Sequence, residues 1–211
     1  GLGAIAKRDI AIGERLLDES PLVSVSNERG DTDREIKRAV GALDEADRAA
    51  FRALSSGGVV DGVAGGVAGG VPAAAAVREV GAWDVGIWRS NAYPTRQASG
   101  GRGRRAACFA LACRINHSCK PNCHVEWNDV TGRQTVHAVA PIASGDELTV
   151  AYLDTGLAHE RRTQMLRTKF GFACSCRLCA LGPGGLTERD ASDTRQRRIA
   201  ELEGLITGRA D

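Results

Sequence analysis

Three thiols fall within six residues in CSCRLC, at Cys174, Cys176 and Cys179. Packed so closely, they cannot easily pair off among themselves as disulfides. A zinc ion takes four ligands in a tetrahedron, with sulfur at about 2.3 Å, and this trio supplies three of them. Cys108, Cys113, Cys119, Cys123 and His117 are all available as the fourth. Cys119 is the preferred partner. A separate four-thiol site from Cys108, Cys113, Cys119 and Cys123 is conceivable but leaves the trio incomplete. A site filled by thiolates has no open position for a substrate, so the metal is expected to be structural. The plainer alternative is a set of buried thiols behaving as small hydrophobes.

Cys119 belongs to a second chemically loaded stretch, NHSCKPN, running from Asn116 through His117, Ser118, Lys120 and Pro121 to Asn122. Asn, Ser and Pro are ordinary turn residues, but a turn rarely needs a His and a Cys as well. Apolar runs flank it, CFALACRI before and CHVEW after, so the polar segment is expected to lie inside a core. Its polar groups then need partners in the protein or in a ligand. If zinc joins Cys119 to the later trio, the C-terminal segment is pinned over this stretch and the two become walls of one site.

The elements that must position these residues are mostly short strands. GLGAIAKRDIAIGERLLDESPLVSV reads as extended runs with a turn at Gly13. Ile36, Ala39, Val40 and Leu43 recur at helical spacing, and DEADRAAFRALSS carries a second helix with Ala46, Ala50, Phe51 and Leu54 on one side. GGVVDGVAGGVAGGVP makes both helix and strand costly and reads as a flexible loop. A weaker helix is expected from Ala73 to Trp88, then a hairpin of HVEWN and QTVHAV across DVTG. A turn at Gly145 feeds a strand ending near Tyr152. A helix over His159–Phe170 has Met165, Leu166 and Phe170 as its apolar face. In the tail, Ile199, Leu202 and Ile206 share a helical face expected to dock. Strands interrupted by a helical insertion make an α+β domain.

Composition sets outer limits. At 211 residues the chain suits one domain carrying an insertion, and a formal net charge of +2 makes no global commitment to nucleic acid or membrane. No apolar run approaches the roughly 20 residues of a membrane span. The chain begins at Gly1 without a Met, so a fragment of a longer protein is expected. Seven cysteines, an odd number, argue for a reducing compartment and a metal over a secreted disulfide framework.

RINHSCKPN, followed by GDELTVAY and then FGFACSCRLC, resembles the SET-domain lysine methyltransferases. The opening GLG is similar to that family's first segment, and the order of motifs resembles the split-SET, SMYD-like branch, here without a cysteine- and histidine-rich MYND finger in the insertion. The resemblance implies a fold of several small sheets with a helical insertion and a zinc-bound post-SET segment. Its parts are the N-terminal SET portion (1–26), the helical and Gly-rich insertion (27–90), the C-terminal SET portion (91–170), the post-SET segment (171–182) and a helical tail (183–211). It implies S-adenosyl-L-methionine as methyl donor, contacted by Gly1, Leu2 and Gly3 through close backbone approach. Asn116 and His117 are expected at the donor's amino and adenine portions, His117 through backbone atoms. Asn91 is expected to touch the donor, and Phe172 to pack on the adenine or wall the lysine channel. Tyr152 takes the place of the catalytic tyrosine beside the donor, and Cys119, Cys174, Cys176 and Cys179 take those of the zinc ligands.

Read without the resemblance, Asn116 could cap a turn and Tyr152 could be a core tyrosine with a satisfied hydroxyl. Tyr93, the other tyrosine, could wall a substrate channel or simply pack, and Glu147 is assigned no catalytic task. The implied partner is a histone or other protein carrying a target lysine, met by a monomer in nucleus or cytoplasm, with no membrane and no direct nucleic-acid contact. An inactive scaffold or reader is the competing function. A zinc-dependent nucleic-acid binder rests only on GGRGRR and RQRR.

Overall fold

The computed structural model describes residues 3–26, 32–54, 59–60, 63–64, 80–95, 105–154, 156–180 and 186–207. In chain order its strands and α-helices are β1 (Ala4–Ile5), β2 (Arg15–Glu19), β3 (Val23–Ser26), α1 (Thr32–Gly41), α2 (Glu45–Arg52), β4 (Val59–Val60), β5 (Val63–Ala64), α3 (Val80–Asn91), β6 (Tyr93–Thr95), β7 (Arg105–Cys108), β8 (Asn116–His117), β9 (Cys123–Asn128), β10 (Arg133–Ala138), β11 (Glu147–Val150), α4 (His159–Met165) and α5 (Leu186–Thr207).

Three small three-stranded sheets, ordered β1-β11-β8, β2-β10-β9 and β3-β7-β6, carry the fold. The β9–β10 hairpin registers Arg133 with Asn128 through to Ala138 with Cys123. Its turn is fixed by Asn128 Oδ1, which accepts from the N–H groups of Val130 and Thr131 at 2.9 and 3.1 Å. Gly132 takes the positive φ of 65° that closes it. Alternation along β10 sends Gln134, Val136 and Ala138 inward. They meet a core containing Phe109, Ile115, Val150 and Ile142, which lies between the sheets.

A second core joins the helices to the β3-β7-β6 sheet. Ile36 and Val40, one turn apart on α1, are fully buried with Phe51 of α2 and Ile87 of α3. Asp44 caps α2 by accepting from the N–H of Asp47 at 2.8 Å.

Several expectations shift. The valines of the Gly-rich stretch form an antiparallel pair, Val59 with Ala64 and Val60 with Val63, where a loop was expected; β-branched residues favour such pairing. The rest of that stretch, and Ala73 to Glu79 of the weak helix, lie outside the described residues. The helix instead runs from Val80 through Asn91. The His159 helix ends its α-helical part at Met165 and finishes in a π-helical turn over Leu166–Phe170, closed by Gly171 at φ 73°. The tail is helical, but Ile199, Leu202, Leu205 and Ile206 are exposed. It reaches the body through polar residues: Asp193 accepts from the N–H of His159, and Arg189 Nη2 donates to the carbonyl of Cys179 at 3.2 Å.

Candidate functional site

The β1-β11-β8 sheet brings together segments far apart in sequence. β11 pairs antiparallel with β1 and parallel with β8, setting Thr149 beside Asn116 and Val150 beside His117. On this sheet Asn116 Nδ2 donates to Glu147 Oε1 at 2.7 Å. Both press against Gly3, where a Cβ would collide with the Glu147 carboxylate and lie 2.7 Å from Asn116 Nδ2. A side chain at position 3 would have to displace the Glu147 carboxylate and the Asn116 amide from each other.

The polar groups of NHSCKPN find their partners in β11. Asn122 Nδ2 donates to the carbonyl of Glu147 at 2.9 Å, and its Oδ1 accepts from the Thr149 N–H at 2.8 Å. Ser118 N–H donates to the Val150 carbonyl at 3.0 Å, and Ser118 Oγ accepts from Lys120 N–H at 3.1 Å. The segment is stapled at both ends, which leaves His117 held between two neighbours. Its Nδ1 accepts the Tyr152 N–H at 3.0 Å, and its Nε2 stands 3.3 Å from Cys119 Sγ. An accepting Nδ1 puts the proton on Nε2, which then donates to sulfur. Burial pushes the His117 pKa down, with the Cys176 thiolate opposing and Arg162 reinforcing the shift.

Cys119, Cys174, Cys176 and Cys179 converge so that all four sulfurs lie within 4.8 Å of one another. Cys119 Sγ is 3.9 Å from Cys174 Sγ and 3.6 Å from Cys179 Sγ. A tetrahedron with metal–sulfur bonds of about 2.3 Å has edges of about 3.8 Å, so the four thiols fit a zinc-sized ion and are too far apart for disulfides. Sulfur hydrogen bonds from Cys119 and Cys179 hold Cys176 far below the ordinary thiol range. The Cys119 thiol is pushed up to about 12, foremost by its bond to Cys176.

Tyr152 lies just past β11. Its hydroxyl donates to the Ile115 carbonyl at 2.8 Å, and burial pushes its pKa up to about 12. Its ring stands 5.2 Å from Phe170, 5.4 Å from the His117 imidazole and 6.4 Å, edge-on at 89°, from Phe172. Phe172 in turn lies 6.1 Å from His117. Tyr152 and Phe170 open onto a cavity of about 580 Å³ whose walls also include Asn91, Tyr93 and Trp127. The arrangement is an aromatic recess with a fixed phenol, adjoining a polar strand pair on one side and a thiol cluster on the other.

A model of the SET domain matches residues 1–153. The chain belongs to the SET-domain family. It is 30% identical over 200 residues to the histone-lysine N-methyltransferase set5 of Schizosaccharomyces pombe, a match covering 95% of this chain and 53% of that protein. Over 65 residues it is 40% identical to mouse histone-lysine N-methyltransferase SMYD3, covering 31% of this chain and 15% of that one. Over 74 residues it is 32% identical to Arabidopsis thaliana histone-lysine N-methyltransferase ATXR4, covering 35% and 22%. The chain thus spans about half the length of the fission-yeast relative and less of the others.

Within this SET domain the expected residues divide. Gly3, Asn116, His117, Tyr152, Phe172 and the four cysteines Cys119, Cys174, Cys176 and Cys179 form one connected neighbourhood. Gly1 and Leu2 lie outside the described residues. Asn91 sits at the C-terminal end of α3, its Nδ2 donating to Ile87 O at 2.7 Å, and lines the Tyr152 cavity. The alternative metal set does not assemble: Cys108 and Cys123 are buried in the two main cores, and Cys113 Sγ donates to Asn91 O at 3.3 Å. Sequence reasoning missed Glu147 as the anchor of Asn116, Asn122 as the staple to β11, and Phe170 as the ring closest to Tyr152. The FGF spacing at Phe170 and Phe172 was the available signal for the last.

Proposed function

We propose that the chain is an S-adenosyl-L-methionine-dependent protein-lysine N-methyltransferase with a structural zinc ion in its post-SET segment. The observation carrying this reading is the placement of Tyr152: its half-buried phenol is tied at Ile115, ringed by Phe170 and Phe172, and opens onto the cavity. The names of the relatives point to the same activity.

The methyl donor fits the side of the site where Gly3 backbone, Asn116 and the Phe172 ring converge around the His117 segment. When bound, the donor supplies a methyl group already activated on a positive sulfonium. The protein's task is therefore alignment, the positioning contribution that well-placed reactants make. A lysine amine has a pKa of about 10.4, so holding it neutral near pH 7 costs about 4.6 kcal/mol. Tyr93, Phe170 and Tyr152 form an aromatic, water-poor wall that disfavours the ammonium and lowers that cost. The Tyr152 hydroxyl spends its proton on the Ile115 carbonyl, which leaves its oxygen free to accept an N–H from the incoming amine. The amine's lone pair is thereby turned toward the donor.

Zinc held by Cys119, Cys174, Cys176 and Cys179 fastens the segment carrying Phe170 and Phe172 to the NHSC stretch, so the aromatic wall depends on it. The helices α1–α3 between the two SET portions support the split, SMYD-like branch. The substrate is a histone or another nuclear or cytoplasmic protein met by a monomer. Tritiated donor incubated with the chain, bulk histones and a cell extract tests the reading. Lysine-linked label supports it, whereas donor binding without any label would make the chain a scaffold.

A further inference from the structure

The Tyr152 cavity extends beyond the aromatic recess. Its far wall is built by β9 and β10, where Gln134 pairs with Trp127 and both line the space with Val125 and His124. Gln134 is only 1% exposed, and its Nε2 has no hydrogen-bond partner among the described residues. A buried donor left without an acceptor is costly, so such groups are rare and each calls for an explanation. Other polar groups lining the cavity are engaged: Trp127 Nε1 donates to Asp129 at 2.8 Å, and Arg89 of α3 pairs with Asp33 at 3.0 Å.

We propose that Gln134 is a specificity-determining residue: its amide nitrogen donates to a neutral, oxygen-bearing side chain, an amide or a hydroxyl, on a substrate residue near the target lysine. The inference rests on the methyl-transfer reading, since the lysine must enter at Tyr152 for its neighbour to reach Gln134 along the one cavity. Arg89 and Asp154 also line the cavity, but Arg89 is paired with Asp33, and the Val125 and Trp127 walls beside Gln134 disfavour a carboxylate, because burying an ion against a neutral amide is costly. They do not penalise a neutral amide or hydroxyl whose oxygen receives the Gln134 N–H. A site built around such a donor rejects analogues lacking the acceptor, since the donor would again stand unpaired.

The test uses the full chain, tritiated S-adenosylmethionine and peptide libraries with one central lysine. Each flanking position is fixed in turn as Asn, Gln, Ser or Thr, or as Leu or Val. At one position the wild type is expected to favour the oxygen-bearing residues by about tenfold in kcat/KM. Gln134→Leu and Gln134→Met should abolish that preference while methyl-donor affinity stays unchanged. Methylation without preference, or a preference that survives both variants, overturns the inference and leaves the methyltransferase reading standing. Loss of donor binding in both variants also overturns it, by making Gln134 a framework residue. No label in any library from the wild type sinks the functional reading and this inference with it.

Discussion

Tyr152 and His117 are joined by a hydrogen bond from the Tyr152 N–H to the imidazole Nδ1 at 3.0 Å. The opposite nitrogen faces Cys119 Sγ at 3.3 Å. One ring therefore ties the proposed catalytic tyrosine to the proposed metal cluster, so neither is positioned independently of the other.

His117→Ala removes both contacts. An outer partner of a metal ligand typically contributes 10–100-fold in metal affinity, and zinc affinity is expected to fall within that range. Competition with a chromogenic chelator measures it. Zinc affinity equal to that of the wild type would show that the imidazole does not support Cys119.

Arg162 and Asp193 make a second link, between α4 and α5. Arg162 is 2% exposed, donates through Nη1 to the Leu157 carbonyl, and lies 3.7 Å from Asp193. Both Asp193 oxygens accept the His159 N–H at 3.0 Å, at the N-terminus of α4. Removing one member of a buried pair leaves an uncompensated charge and costs about 3–5 kcal/mol. Asp193→Ala should lower the urea unfolding free energy by about 3 kcal/mol. Arg162→Met, which leaves no buried cation, should cost less. Equal losses would mean the ion pair is not what anchors α5.

The chain has two tyrosines, and burial raises the pKa of both, Tyr152 to about 12 and Tyr93 further. An unfolded phenol ionises near pH 10. Between those values the folded state holds protons that the unfolded state releases, so this stabilisation is complete below pH 10 and is lost as pH rises through 12. Ultraviolet titration should find almost no tyrosinate in the native protein at pH 10–11, and prompt ionisation once denaturant is added. A native titration centred near pH 10 would place at least one phenol in water.

The legible parts of the site were those written in contiguous residues. CSCRLC announced three of the four thiols because their spacing is local, whereas Cys119, 55 residues before Cys174, was a preference among several candidates that the resemblance supported; Gly132 and Gly145 marked turns because their positive φ values are local too. The Glu147–Asn116 contact joins residues 31 apart, and the Asn122–Thr149 bond spans 27. Such partners are chosen by sheet register, which no short window of sequence encodes. The tail misled for a related reason. Ile199, Leu202 and Ile206 have helical spacing, but periodicity describes a face without saying what covers it. Gln134 was read as one more strand residue, because its missing partner becomes visible only when the cavity around it is formed.

The most direct measurement compares Tyr152→Phe with the wild type in donor affinity by calorimetry and in methyl transfer to a lysine substrate. Deleting the hydroxyl removes an interaction expected mainly in the transition state, so kcat should fall by about 100-fold or more with donor affinity nearly unchanged. Undiminished turnover in the variant, or a loss of donor affinity that accounts for the whole effect, would contradict the account.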